Sequence, residues 1–258
     1  MSIQAFPAEL FYLFLDELGS TIEDSESRAS LLACSVVNRQ FHRQASSYIF
    51  SSLTIRSQNR LNGLRDILNA NPDIARYIHS FSVETQVYTE TLQVVLRQLS
   101  RLRKFGWICE HFSQFHWNQA DAPASIIGNL LNVPSLTAFH FSNVMHLSLS
   151  LFSAFRHLES LTLDDVGFAK VDLDTLPLAT FSSLKRLKIT GPLWSDEDVE
   201  AVKTIMICAA PTLTTLILSK TNFMYCKSCI FTMPSALGLS LSTQLGSFLT
   251  SIQPSSQP

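Results

Sequence analysis

The sequence predicts an α/β chain in which a small N-terminal helical bundle precedes an array of strand–helix units. Three observations predict it. Residues 1–52 contain three stretches whose apolar residues recur at helical spacing. Residues 53–252 repeat one strand pattern, apolar-x-x-apolar-x-apolar, with helical stretches between the copies. Hydrophobic residues make up 46% of the chain and charged residues 16%, a balance that favours a packed core over disorder. Residues 253–258 read as a disordered tail.

The first helix opens at Pro7, whose fixed φ suits a first helical turn, with Glu9 at the positive end of the dipole. Leu10, Leu13, Phe14 and Leu18 follow at i, i+3, i+4 and i+8, and Phe11 and Leu15 widen the stripe. Gly19 reads as a C-cap. Thr21 to Ser27 is a polar, acidic loop. Ser25 or Asp24 can cap a second helix, whose stripe is Ala29, Leu32, Ala33 and Val36. Asn38 can cap a third, with Phe41, Ala45, Tyr48 and Ile49 on one side. These stripes are wide for three helices that pack only on one another, so part of Phe11, Leu15 and Val37 is expected to be left over.

Leu53–Ile55 reads as a short strand, and Leu61, Leu64 and Leu68 as a helix that ends at Asn71–Pro72. The strand pattern then recurs as Ile78/Phe81/Val83, Leu102/Phe105/Trp107, Leu136/Phe139/Phe141, Leu158/Leu161/Leu163, Leu184/Leu187/Ile189 and Leu213/Leu216/Leu218. Steps between the middle residues are 24, 34, 22, 26 and 29 residues. Helical stretches lie between, at Leu92–Leu99, Ile126–Leu131 and Val199–Met206, the last opened by Ser195 with Asp196, Glu197 and Asp198 in its first turn. The motif resembles the Leu-x-x-Leu-x-Leu core of a leucine-rich repeat, which implies an irregular solenoid of units that stack to share a core. The usual repeat Asn is largely missing, Asn143 and Asn222 being the nearest. A doubly wound α/β sheet is the competing fold. It wants Gly-rich βα turns, and only Gly167 and Gly191 follow strands, neither in a phosphate-binding pattern. Leu237, Leu241, Leu245, Phe248 and Ile252 fit a C-terminal helical stripe, while Leu237-Gly238-Leu239-Ser240-Leu241 also alternates like a strand, and Gly238 and Gly246 weaken the helix.

A net charge of −2 gives no field for nucleic acid, and no apolar run is long enough to span a bilayer. Pro7, Glu9 and Asp16 interrupt any secretory leader, so the 5 cysteines are expected as reduced thiols in cytosol or nucleus. Four clusters could carry chemistry. Cys226-x-x-Cys229 lacks the second pair a structural zinc site wants. Cys109, His111 and His116 could form a metal site or a Cys/His pair, but the aromatics between them read as packing. Asp164, Asp165, Asp172 and Asp174 could pair carboxylates, yet read as solvated loop residues. Arg97, Arg101, Arg103 and Lys104 read as the solvated face of a helix. No Gly-x-Ser-x-Gly, Walker, HExxH or EF-hand pattern is present. Neither a cofactor nor a metal is expected.

Phe6-Pro7-Ala8-Glu9-Leu10, followed by Phe14 and Leu18, resembles the opening of an F-box, which usually reads Leu-Pro-x-Glu-Leu/Ile. Leu32-Ala33-Cys34-Ser35-Val36-Val37-Asn38-Arg39 resembles its second half, and Phe41 stands where the family usually has Trp. Phe6 for Leu, Asn38 for Cys and Phe41 for Trp are departures, and only Asn38 changes the apolar character. The resemblance, to F-box proteins with leucine-rich-repeat-like C-terminal regions, covers about 45 residues. It implies a non-catalytic adaptor of a cullin–RING ubiquitin ligase. In that role the F-box docks on a Skp-type adaptor and the repeats hold a protein substrate. Carried over, the docking residues are Phe6, Pro7, Leu10, Leu13, Phe14, Leu32, Cys34, Val37 and Phe41, some of which must serve the bundle core instead. A repeat scaffold outside any ligase, an F-box protein working outside a ligase and an unrecognised α/β enzyme are the alternatives.

Overall fold

The computed structural model describes residues 8–21, 24–84, 89–109, 115–116, 126, 130, 133–154, 157–169, 181–192 and 195–219. The chain is mixed α/β, with helices at its N-terminus and parallel strands after them. It divides into two compact units, one of Met1–Glu110 and Gln119–Thr137, the other of His111–Asn118 and Ala138–Pro258.

The first unit opens with α1 (Ala8–Ser20), α2 (Ser25–Ser35) and α3 (Arg39–Ile49). Asp24 caps α2, its carboxylate accepting from the Ser27 N–H at 3.1 Å. Asn38 caps α3, its Oδ1 accepting from the N–H groups of Gln40 at 2.9 Å and Phe41 at 3.0 Å. Each cap satisfies donors that a helix start leaves without a partner. Leu15, Leu31, Ala45 and Ile49 form the buried core of the bundle, and Leu18, Cys34, Phe41, Tyr48 and Phe50 pack half-buried around it.

Two local expectations change here. Gly19 is not a C-cap: it lies inside α1, and any Cβ there would overlap the Tyr48 ring packed against it. Its role is close approach, which lets the Tyr48 hydroxyl donate to Asp16 across the α1–α3 contact. The stripe Ala29, Leu32, Ala33 and Val36 does not face the core either. All four residues are exposed, and the neighbouring Leu31 is the one buried. Periodicity locates an apolar face of a helix; it does not say which neighbour covers it.

The first unit continues with β1 (Ser52–Ile55), α4 (Gln58–Ala70), a 3-10 turn (Pro72–Tyr77), β2 (Ser80–Val83), α5 (Thr89–Gln98) and β3 (Lys104–Ile108). α4 stops before Asn71–Pro72, as the residue ahead of a proline is pushed out of the helical region. β1, β2 and β3 pair in parallel, with Phe81 opposite Leu53 and Phe105, and Val83 opposite Ile55 and Trp107. Of the Ile126–Leu131 stretch, Ile126 and Leu130 are described, and both are helical and buried.

The second unit contains β4 (Phe115–His116), β5 (Ala138–Ser142), β6 (Val144–Met145), a 3-10 turn (Leu149–Ala154), β7 (Ser160–Asp164), β8 (Arg186–Thr190), α6 (Asp196–Ala209) and β9 (Thr215–Ser219). β5, β7, β8 and β9 pair in parallel in that order. Their registers put Phe139, Leu161, Leu187 and Leu216 in one row, and Phe141, Leu163, Ile189 and Leu218 in the next. Every residue of the first row is buried. Four phenylalanines sit on these rows and behind them. Phe139 stacks on Phe141 at 5.5 Å between ring centroids, Phe141 meets Phe152 edge-on at 5.9 Å, and Phe152 meets Phe181 at 5.7 Å. α6 begins with a capping box between Ser195 and Asp198.

Two devices recur from strand to strand. The leading apolar residue of a copy donates its N–H to the carbonyl three residues back: Ile78 to Ala75, Leu102 to Leu99, Leu136 to Val133 and Leu184 to Phe181. The carbonyl just before a strand accepts two N–H groups from the next copy: Ser51 from His79 and Ser80, His79 from Arg103 and Lys104, Glu159 from Lys185 and Arg186, and Lys185 from Thr214 and Thr215. In the second unit Asn143, Asp165 and Gly191 each follow a strand by one residue, and all three have positive φ. At Gly191 a Cβ would run into the Asp165 side chain, so this turn requires glycine. Asn143 is thus a turn residue, and the buried apolar side chain beside it is Val144. Asn222, the helical stripe from Leu237 to Ile252 and the 253–258 tail lie outside the described residues.

Candidate docking surface of the helical bundle

The bundle is too small to bury every apolar side chain it carries. Leu15, expected to be partly left over, is instead turned fully into the core by α1, which leaves Leu13 and Phe14 more than half exposed. α2 turns Leu31 inward and leaves Leu32 half exposed. At the end of α2, Val36 is 84% exposed and Val37 is 64% exposed. A group of large exposed apolar side chains on so small a bundle makes it a candidate interaction surface. Covering each of them would contribute roughly 1–2 kcal/mol.

The α2–α3 turn that carries the two valines is held on several sides. Val36 and Val37 donate their N–H groups to the carbonyls of Ala33 at 3.4 Å and Cys34 at 3.1 Å. Asn38 then fixes the start of α3 through its two accepted bonds. His42 Nδ1 lies 3.1 Å from the Ser35 carbonyl oxygen, tying α3 back to the end of α2. Gln40 reaches the Tyr12 hydroxyl and Gln44 lies 3.5 Å from Asp16, joining α3 to α1. Asn38, the one polar departure from the F-box pattern, is therefore the residue that shapes this turn.

The residues carried over from the F-box resemblance divide as follows. Leu13, Phe14, Leu32 and Val37 are exposed. Cys34 and Phe41 are half-buried and pack against Leu15, Leu31, Ala45 and Ile49, so they belong to the core side. Leu10 lies in α1, one turn before Leu13 and Phe14, and its side chain is outside the description. Phe6 and Pro7 lie outside the described residues. Val36 and Tyr12 are exposed and were not carried over. The signal for Val36 is in the sequence: it stands four residues from Leu32, on the same helical stripe, so the two face the same way.

The chemical clusters resolve differently. Cys109 is buried at the end of β3, and burial pushes its thiol up to about 11. A buried thiol held in its neutral form is a poor nucleophile. His111 and the side chain of His116 lie outside the description. Asp164 is tied into the strands, its Oδ2 accepting from the Ser142 hydroxyl at 3.4 Å and its Oδ1 from the Thr190 hydroxyl. Asp165 occupies a left-handed turn. Asp172, Asp174, Cys226 and Cys229 lie outside the described residues. Arg97, Arg101, Arg103 and Lys104 are all exposed, but only Arg97 is in α5; the others lie in the turn and at the start of β3, not on one helix face. Among the described residues no group of three or more His, Cys, Asp or Glu side chains could hold a metal ion. Among them, too, no helix is long and apolar enough to cross a membrane.

No protein-family model matches the chain, and no curated protein matches it.

Proposed function

We propose that the chain is a substrate-recruiting adaptor subunit of an SCF-type cullin–RING ubiquitin ligase. The helical bundle is the F-box and docks on a Skp-type adaptor. The strand-bearing remainder is a leucine-rich-repeat-like solenoid that holds a protein substrate. The chain performs no bond chemistry. It raises the effective concentration of substrate lysines near the charged ubiquitin carrier. It would work in the cytosol or nucleus, towards ubiquitin-dependent protein degradation.

The observation that carries this reading is the outward set Leu13, Phe14, Leu32, Val36 and Val37 on a bundle whose sequence resembles an F-box. A partner groove that buries a few apolar anchors is the usual way such a helical face acquires affinity. The solenoid half is supported by the in-register apolar rows and the repeated carbonyl that accepts two N–H groups.

The test is capture of the purified full-length chain by an immobilised Skp-type adaptor subunit. Binding at micromolar concentration is expected, and it should be lost in Phe14→Asp and Val37→Asp while far-UV circular dichroism is unchanged. No binding by the wild-type chain would leave the repeat scaffold as the reading. Binding retained by both variants would move the interface elsewhere.

A further inference from the structure

In the second unit the strands turn one side chain in and the next one out, so the outward residues of β5, β7, β8 and β9 form a second grid. Its rows, read across the parallel registers, are Ala138–Ser160–Arg186–Thr215, His140–Thr162–Lys188–Ile217 and Ser142–Asp164–Thr190–Ser219. β8 alone contributes two cations to this grid, and both Arg186 and Lys188 are exposed. The strands beside them offer hydroxyls at Ser160, Thr162 and Thr215 and one apolar side chain, Ile217.

Two carboxylates lie nearby. Glu159 is paired with Lys185 at 2.8 Å, and Asp164 accepts from the Ser142 and Thr190 hydroxyls. Arg186 lowers the Glu159 pKa only as a minor influence behind Lys185. Among the described residues, neither Arg186 nor Lys188 has an ion pair or a side-chain hydrogen bond. The face therefore presents two exposed cations on β8, with the Asp164 carboxylate in the next row, on a chain whose net charge is −2.

Alternate residues on one face of a strand lie about 6.5 Å apart, and the same spacing separates alternate residues of an extended peptide. We infer that the outward face of β7, β8 and β9 binds an extended peptide segment with acidic residues at alternate positions. Two of its carboxylates meet Arg186 and Lys188, flanked in the same rows by the Ser160, Thr162 and Thr215 hydroxyls and Ile217, while its intervening side chains point away from the sheet. This inference deepens the proposed function by naming the class of segment the strands would hold. It does not depend on the bundle docking to anything.

The experiment is fluorescence anisotropy at low salt with the full-length chain and a labelled (Glu-Ser)4 peptide. Binding is expected, with no binding to (Gln-Ser)4 or (Lys-Ser)4. The double variant Arg186→Ser/Lys188→Ser should weaken binding about fivefold or more, as expected for losing two exposed charge contacts. The control Arg97→Ser/Arg101→Ser removes the same charge from the other unit and should leave binding unchanged. Equal weakening by both double variants would reduce the effect to overall charge and overturn the inference. So would no binding by the wild-type chain, or equally tight binding of single-stranded DNA carrying the same charge. Because adaptor capture is measured separately, failure here leaves the docking proposal untouched, and failure there leaves this one standing.

Discussion

Asn38 and Cys109 show how single side chains decide what their surroundings can do. Asn38 holds two backbone N–H groups at the start of α3, immediately after the exposed Val36–Val37 pair. Removing such a cap costs about 1 kcal/mol. Asn38→Ala should therefore lower the stability of the chain by that amount in urea unfolding and weaken adaptor capture, whereas Asn38→Asp, which keeps the accepting oxygen, should restore both. Equal loss in the two variants would mean that the cap does not set the turn. Cys109 is the opposite case, a group silenced by its site. Its thiol is raised to about 11 by burial, so the folded state favours the neutral form. The stabilisation that follows is complete below the unfolded-state value near 9 and is lost as pH climbs through 11. Peptide-resolved iodoacetamide labelling at pH 8 should leave Cys109 unmodified in the folded chain and label it fully in urea. Labelling of folded chain at the rate of a free thiol would contradict its burial.

At the scale of elements, α2 carries the sharpest contrast. Leu31 is completely buried and the adjacent Leu32 is half exposed. Leu31→Ala removes part of a four-residue core and should cost about 2–4 kcal/mol. Leu32→Ala should change stability by less than about 0.5 kcal/mol and act on binding instead. Thermal unfolding of both variants checks this, and equal destabilisation would mean that the two faces of α2 have been exchanged. The same helix shows what could be read from the sequence. The repeat motif placed every strand from β2 to β9 that carries it, because alternate apolar residues between turn signals leave a strand little choice of face. The caps at Asn38 and Ser195 were also legible, since their donors lie within three residues. The orientation of α2 was not. Ala29, Leu32, Ala33 and Val36 form a correct helical stripe, but its covering neighbour is not written locally. Nor was Asp198 legible beyond the capping box. Its Oδ2 accepts from Ser195 N–H at 2.9 Å, while Oδ1 accepts from the Phe168 N–H at 2.6 Å, thirty residues away.

For the molecule as a whole, the two proposed surfaces fall in different units. The docking residues belong to the unit that contains α1 to α3, and Arg186 and Lys188 to the unit that contains β5 to β9. Residues that share no partner give additive effects, to within about 0.5 kcal/mol. None of Val36, Val37, Arg186 and Lys188 shares a hydrogen bond or ion pair with another of the four. Val37→Asp should therefore abolish adaptor capture and leave binding of the (Glu-Ser)4 peptide unchanged. Arg186→Ser/Lys188→Ser should do the reverse, and the triple variant should show both losses with no extra effect. Salt should separate the surfaces in the same way. Peptide binding should fall as ionic strength rises, because exposed charges are screened beyond about 10 Å at 0.1 M. Adaptor capture rests on apolar side chains and should hold over the same range. Peptide affinity that changed with Val37→Asp would mean that the units communicate, and an adaptor in a ligase would then sense its substrate rather than only carry it.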